Sequence, residues 1–71
     1  MNERRKQDLQ YKIREQRKLL GMSQVELAER SQVSRTVISG LENGSIKVTT
    51  TETLLKIAEA LKCKVKDIFL E

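Results

Sequence analysis

Ser23-Gln24-Val25-Glu26-Leu27-Ala28-Glu29-Arg30-Ser31-Gln32-Val33-Ser34-Arg35-Thr36-Val37-Ile38-Ser39-Gly40-Leu41-Glu42-Asn43-Gly44 is the stretch that decides the fold. It holds two helix starts and one helix stop. Ser23 is a good N-cap, and Glu26 three residues on completes the capping-box pattern. Val25, Leu27 and Ala28 supply an apolar side to a helix ending near Ser31. Ser34 then caps a second helix that runs through Asn43, with Val37, Ile38 and Leu41 apolar. Asn43-Gly44 is a left-handed terminator. Only Gln32-Val33 separate the two helices, so they must cross steeply. Ala28 is small where they meet, and Val33 plugs the turn. The outward face of the second helix carries Arg35, Thr36, Ser39, Gly40 and Asn43. These are donors and small residues, with no carboxylate before Glu42. A helix fits the major groove of DNA when its outward face offers donors and avoids negative charge.

Upstream, Leu9, Ile13, Gln16 and Leu20 recur at helical spacing and Gly21 ends that helix. Downstream, residues 45–50 read as a loop. Val48-Thr49-Thr50-Thr51 is β-branched, but no partner strand exists for it. Thr51 is the expected cap of a fourth helix, in which Leu54, Leu55, Ile57, Ala58 and Leu61 form a wide apolar face. Val65 to Leu70 closes the chain as a short fifth helix. Ile68 belongs in the core, and Phe69 or Leu70 is left over for a dimer contact. The expectation is an all-α, compact five-helix domain over 8–71, preceded by a flexible basic arm at 1–7 that contains Arg4-Arg5-Lys6.

Composition narrows the function. The chain has 71 residues, 14 Lys+Arg against 10 Asp+Glu and a formal net charge of +4, with a pI near 9.5. A basic balance favours polyanionic partners. The excess sits in residues 1–20, which carry seven basic and three acidic side chains. Residues 21–44 are slightly acidic. With no histidine and a single cysteine, Cys63, the sequence offers no metal-ligand cluster, no disulfide and no obvious general base. Ser23, Ser34 and Thr51 read as caps rather than nucleophiles, and Cys63 as a small core residue beside Leu61 and Val65. No enzyme, no cofactor, no metal and no small-molecule substrate are expected. The charged N-terminus lacks an apolar signal core, and the longest apolar run is Ile68-Phe69-Leu70. A soluble, cytoplasmic protein without a membrane segment is expected.

The stretch from Ser23 to Gly44 resembles the lambda-repressor/Cro-like (XRE-type) helix-turn-helix family. Ile13-Arg14 with Arg17 resembles the family's first helix, and Leu54 to Leu61 its fourth, so the likeness covers about residues 12–70. The resemblance implies a sequence-specific, repressor-like regulator that binds double-stranded DNA, with a recognition helix at about 34–43 in the major groove. It implies base reading by Arg35, Thr36, Ser39 and Gly40. It implies phosphate contacts from Gln24, Arg17, Asn43, Ser45 and Lys47. Arg17 and Glu42 match an ion pair that ties the first helix to the third. Family members usually bind pseudo-palindromic operators as dimers, so a homodimer is expected. The alternative is a protein-interaction module on the same fold, an antitoxin or anti-repressor partner, and Gly40 favours it by removing a base-reading side chain. Four departures from the family pattern stand out. Gln32 and Lys62 replace glycines, so each turn either strains a non-glycine residue into left-handed conformation or takes a different shape. The loop at 45–53 lacks proline and is slightly long, and Gly40 interrupts the recognition helix.

Overall fold

A computed structural model describes residues 11–69. The basic arm, Leu9 and Leu70 lie outside the described residues. Five helices and no strand occur among the described residues: α1 Ile13–Leu19, α2 Gln24–Ser31, α3 Arg35–Asn43, α4 Thr51–Ala60 and α5 Val65–Ile68. One core joins them. Ile13, Leu27, Ile38, Leu41, Ile57 and Ile68 have no solvent exposure, and Met22, Val33, Leu54, Ala58 and Leu61 complete the cluster. Helices α2 and α3 pack on each other, α1 packs on α3, and α4 packs on α2 and α5. This leaves one side of α3 facing outward.

The caps explain most of the boundaries. Ser23 Oγ accepts from Glu26 N (3.0 Å) and Ser34 Oγ from Val37 N (3.2 Å). Each satisfies one orphan donor of a first turn. Ser23 and Glu26 form only half of the expected capping box, because the Glu26 carboxylate turns along the helix to Arg30, 2.8 Å away. The fourth helix starts one residue earlier than expected. Thr50, not Thr51, is its N-cap, and Thr50 Oγ1 accepts from Thr53 N at 3.1 Å. Any of three consecutive threonines can cap. The tertiary packing of Leu54, Ile57, Ala58 and Leu61 sets the phase. The last helix ends at Ile68, with Phe69 extended.

Four left-handed residues follow the first four helices: Gly21 (φ +64), Gln32 (φ +65), Gly44 (φ +88) and Lys62 (φ +57). Gln32 and Lys62 are the two positions where the sequence departs from glycine, and of the two expected alternatives both keep the left-handed conformation. At the α2–α3 turn, Gln32 N donates to Ala28 O (2.9 Å) and Ser31 Oγ accepts from Val33 N (3.2 Å). Ser31 is therefore buried but satisfied, and Val33 is pinned into the core.

Periodicity overstates the apolar faces. Leu20, Val25 and Leu55, expected inside, are each about half exposed. Leu20 comes after the last turn of α1, where the chain has already left the helix. Val25 and Leu55 sit at the margins of apolar stripes whose centres are Leu27, Leu54 and Ala58. Cys63 is half-buried against the core, and burial, with Asp67 nearby, pushes its thiol up. Such a thiol is poorly ionised, which suits a packing residue.

Candidate nucleic-acid interface

The outward side of α3 and the loop after it form one shallow open concavity. It is lined by Arg35, Thr36, Ser39, Gly40, Asn43, Ser45 and Ile46. The fold thus gathers all four expected base readers with two expected phosphate contacts. Arg35, Thr36, Asn43 and Ser45 are exposed and Ser39 is half-buried. Lys47 is exposed on the same loop, but its side chain is not part of the concavity.

A polar relay runs beneath this surface. Glu42, on the inner side of α3, is buried. Arg17 grips it with two bonds, Nε to Oε2 (2.8 Å) and Nη2 to Oε1 (2.9 Å), and donates Nη1 to Met22 O (2.9 Å). Arg14, one turn earlier on α1, lies 3.5 Å from Glu42 Oε1. Gln24 Nε2 donates to the same oxygen (3.0 Å), and Gln24 Oε1 accepts from Arg35 Nε (3.3 Å). The orientation of the Gln24 amide follows from its neighbours, because only the NH2 end can face a carboxylate and only the oxygen can face a guanidinium. Burial pushes the Glu42 carboxyl up, but hydrogen bonds from Arg17 and Gln24 and the charge of Arg17 outweigh it. The group sits below its ordinary value. The hydrogen bond to Glu42 raises the Arg17 guanidinium against its own desolvation. The one acid of α3 is therefore buried and neutralised, and no carboxylate of that helix faces out beside Arg35.

Several expected site residues have structural duties here. Arg17 directs its fork inward, with its side chain 12% exposed. Gln24, expected at a phosphate, bridges Glu42 and Arg35. Asn43 Oδ1 accepts from Ser45 N (2.8 Å) and shapes the start of the loop. The Lys47 carbonyl accepts from Tyr11 Oη (3.0 Å), and the Tyr11 ring packs on Phe69 at 5.8 Å. Phe69, expected as a surplus dimer contact, thus has an intramolecular neighbour.

Gly40 departs most from its expected place. It is buried. A Cβ there would meet Ile46 Cδ1 at 2.5 Å and Cγ1 at 2.6 Å. Both Gly44 N and Ile46 N donate to Gly40 O, each at 3.0 Å. The glycine makes a notch for a loop side chain, and Ile46, not DNA, occupies the space it leaves.

Two kinds of participant escape a reading of the sequence. Arg14 has a usable signal, since residues three apart on a helix share a face and Arg17 is already placed. Tyr11 and Ile46 have none, because each finds its neighbour only once the loop is folded.

The helix-turn-helix family model matches residues 13–68, from the first residue of α1 to the last of α5. The chain belongs to that family, in its XRE/lambda-repressor-like form, and so carries a domain of a DNA-binding regulatory type. No curated protein and no solved structure matches the chain. No helix among the described residues is long and apolar enough to cross a membrane.

Proposed function

We propose that this protein is a sequence-specific regulator of transcription that lays α3 in the major groove of an operator, acting in the cytoplasm as a repressor. One observation carries the reading. The outward surface of α3 is continuous with the following loop, is lined by hydrogen-bonding groups, and hides its single carboxylate beneath Arg17 and Gln24. Arg35 reads bases. Its Nε is held by Gln24, so its terminal nitrogens are the donors for guanine O6 and N7. Thr36 and Ser39 flank it. Gln24, Asn43, Ser45 and Lys47 contact the phosphates that fix the register, while Arg17 acts through Glu42. A single α3 reads too few base pairs to find a site alone, so two copies bind a pseudo-palindromic operator. The interaction-module reading leaned on Gly40, and the seat it provides for Ile46 gives that glycine a packing reason instead.

Titration of binding to duplex DNA against salt, followed by selection of an operator from a random library, tests this reading. Affinity for any duplex should fall steeply with salt as phosphate contacts are replaced by counterions. Arg35→Ala should lose about 1–3 kcal/mol of discrimination at one base position and leave the rest of the selected sequence intact. Uniform loss at every position, or no binding in low salt, contradicts it.

A further inference from the structure

Positions 35, 36, 39 and 40 form the expected base-facing row of α3, yet the last has no side chain. The surface is not empty there. Ile46 folds back from the loop, donates its N–H to Gly40 O at 3.0 Å, and fills the space a Cβ would need. It packs against the core on one side and lines the concavity on the other, among Arg35, Thr36, Ser39 and Asn43. The notch thus carries a branched apolar side chain delivered by the loop. Among the described residues it is the sole aliphatic side chain in the lining of that concavity.

The major groove has one apolar feature of matching size, the C5-methyl group of thymine. We propose that Ile46, seated over Gly40, is a specificity-determining residue that packs on a thymine methyl next to the base pair read by Arg35. The proposal rests on the DNA-binding reading above and adds to it a residue outside the recognition helix. Ile46 offers no hydrogen bond from its side chain. It leaves thymine O4 and a cytosine amino group alike without a partner. Thymine is therefore favoured by burial of its methyl group, which cytosine lacks.

Thymine-to-deoxyuridine exchange tests this directly, because it removes the methyl and keeps the base pair. In the operator selected with the wild-type protein, each thymine is exchanged in turn and the Kd measured. One position should lose about fourfold in affinity, the value of a methyl-sized group removed from water. Ile46→Ala should bind the thymine and deoxyuridine operators equally, and Ile46→Val should retain most of the difference. A wild-type protein indifferent to every exchange overturns the proposal, as does an Ile46→Ala variant that keeps the wild-type pattern. The wild-type scan decides by itself if Ile46→Ala fails to fold. Failure to select any operator sinks the DNA reading. An operator bound with a steep salt dependence but blind to its thymine methyls sinks only the role of Ile46.

Discussion

Helix α3 is held by two unlike flanks. Toward α1 its anchor is ionic: a buried carboxylate clasped by Arg17, approached by Arg14, and wired through Gln24 to Arg35. Toward the loop its anchor is apolar: a missing side chain at Gly40, filled by Ile46. The two flanks fail differently. An ionic flank fails steeply, because removing one partner strands the other in a largely buried position. An apolar flank is graded, because its cost follows the volume misplaced. Both bear on the surface proposed to face DNA, the first by orienting Arg35 and the second by fixing the loop that carries Ser45 and Lys47.

The largest effect is expected on the ionic flank. Glu42→Ala should cost about 3–5 kcal/mol in urea unfolding, since it leaves Arg17 uncompensated in a mostly buried position. The double variant Arg17→Met with Glu42→Leu should regain most of that stability. It should still read DNA poorly, because Gln24 has lost the carboxylate that holds it against Arg35. Stability and recognition then separate in one pair of proteins. The acid limb of the stability curve gives a second view. Glu42 has a lower pKa folded than unfolded, so its contribution is complete above the ordinary carboxylate range and is lost as pH falls through the folded value. The wild-type protein should therefore lose stability in that acid window, and Glu42→Gln should show a flatter acid limb. A cost below about 1 kcal/mol for Glu42→Ala, the value of an exposed pair, breaks the contrast between the flanks.

The apolar flank should respond less. Gly40→Ala places a methyl within 2.6 Å of Ile46 Cγ1, an overpacking that costs about 1–3 kcal/mol. Alanine returns about 1 kcal/mol of helix propensity in the middle of α3. The net loss in thermal unfolding should be modest, and it should shrink further with Ile46→Ala in the same chain. Coupling of that kind is the signature of two residues sharing one space. Strict additivity of the two changes means that Ile46 does not sit in the notch.

These flanks also mark how far a sequence can be read. Ser23 and Ser34 announce their helices because an N-cap is local chemistry, and Asn43-Gly44 announces a stop for the same reason. Arg17 and Glu42 lie 25 residues apart, and only likeness to a family pairs them in advance. Gln24 and Arg35 each stand out as DNA contacts, but the bond between them depends on how α2 crosses α3. Thr50 and Thr51 have equal local claims to cap α4, and only the burial of Leu54 and Ile57 chooses. Gly40 is the plainest limit. From sequence, a glycine in a recognition helix means close approach to DNA or a missing contact. The side chain that explains it belongs to Ile46, across a turn whose path no pattern of apolar residues encodes.

The smallest predicted effect serves as a control on both flanks. Gln32 and Lys62 hold left-handed φ values of +65 and +57 without being glycine, and that conformation costs such residues about 1–2 kcal/mol. Glycine relieves that cost but enlarges the unfolded ensemble by about 0.4–1 kcal/mol. Gln32→Gly and Lys62→Gly should therefore each stabilise the domain slightly, by about 0.5 kcal/mol on balance of these two effects. Little else is lost at Gln32, whose side chain makes one long bond to Glu29 O at 3.4 Å. Gln32 enters the turn that leads into α3, whereas Lys62 follows α4 and belongs to neither flank. If the flanks alone fix α3, Gln32→Gly should add to Gly40→Ala and to Glu42→Ala as simply as Lys62→Gly does. Non-additivity confined to Gln32 would mean that the strained turn is a third anchor, and that α3 is tensioned from its N-terminus as well as clasped from its sides.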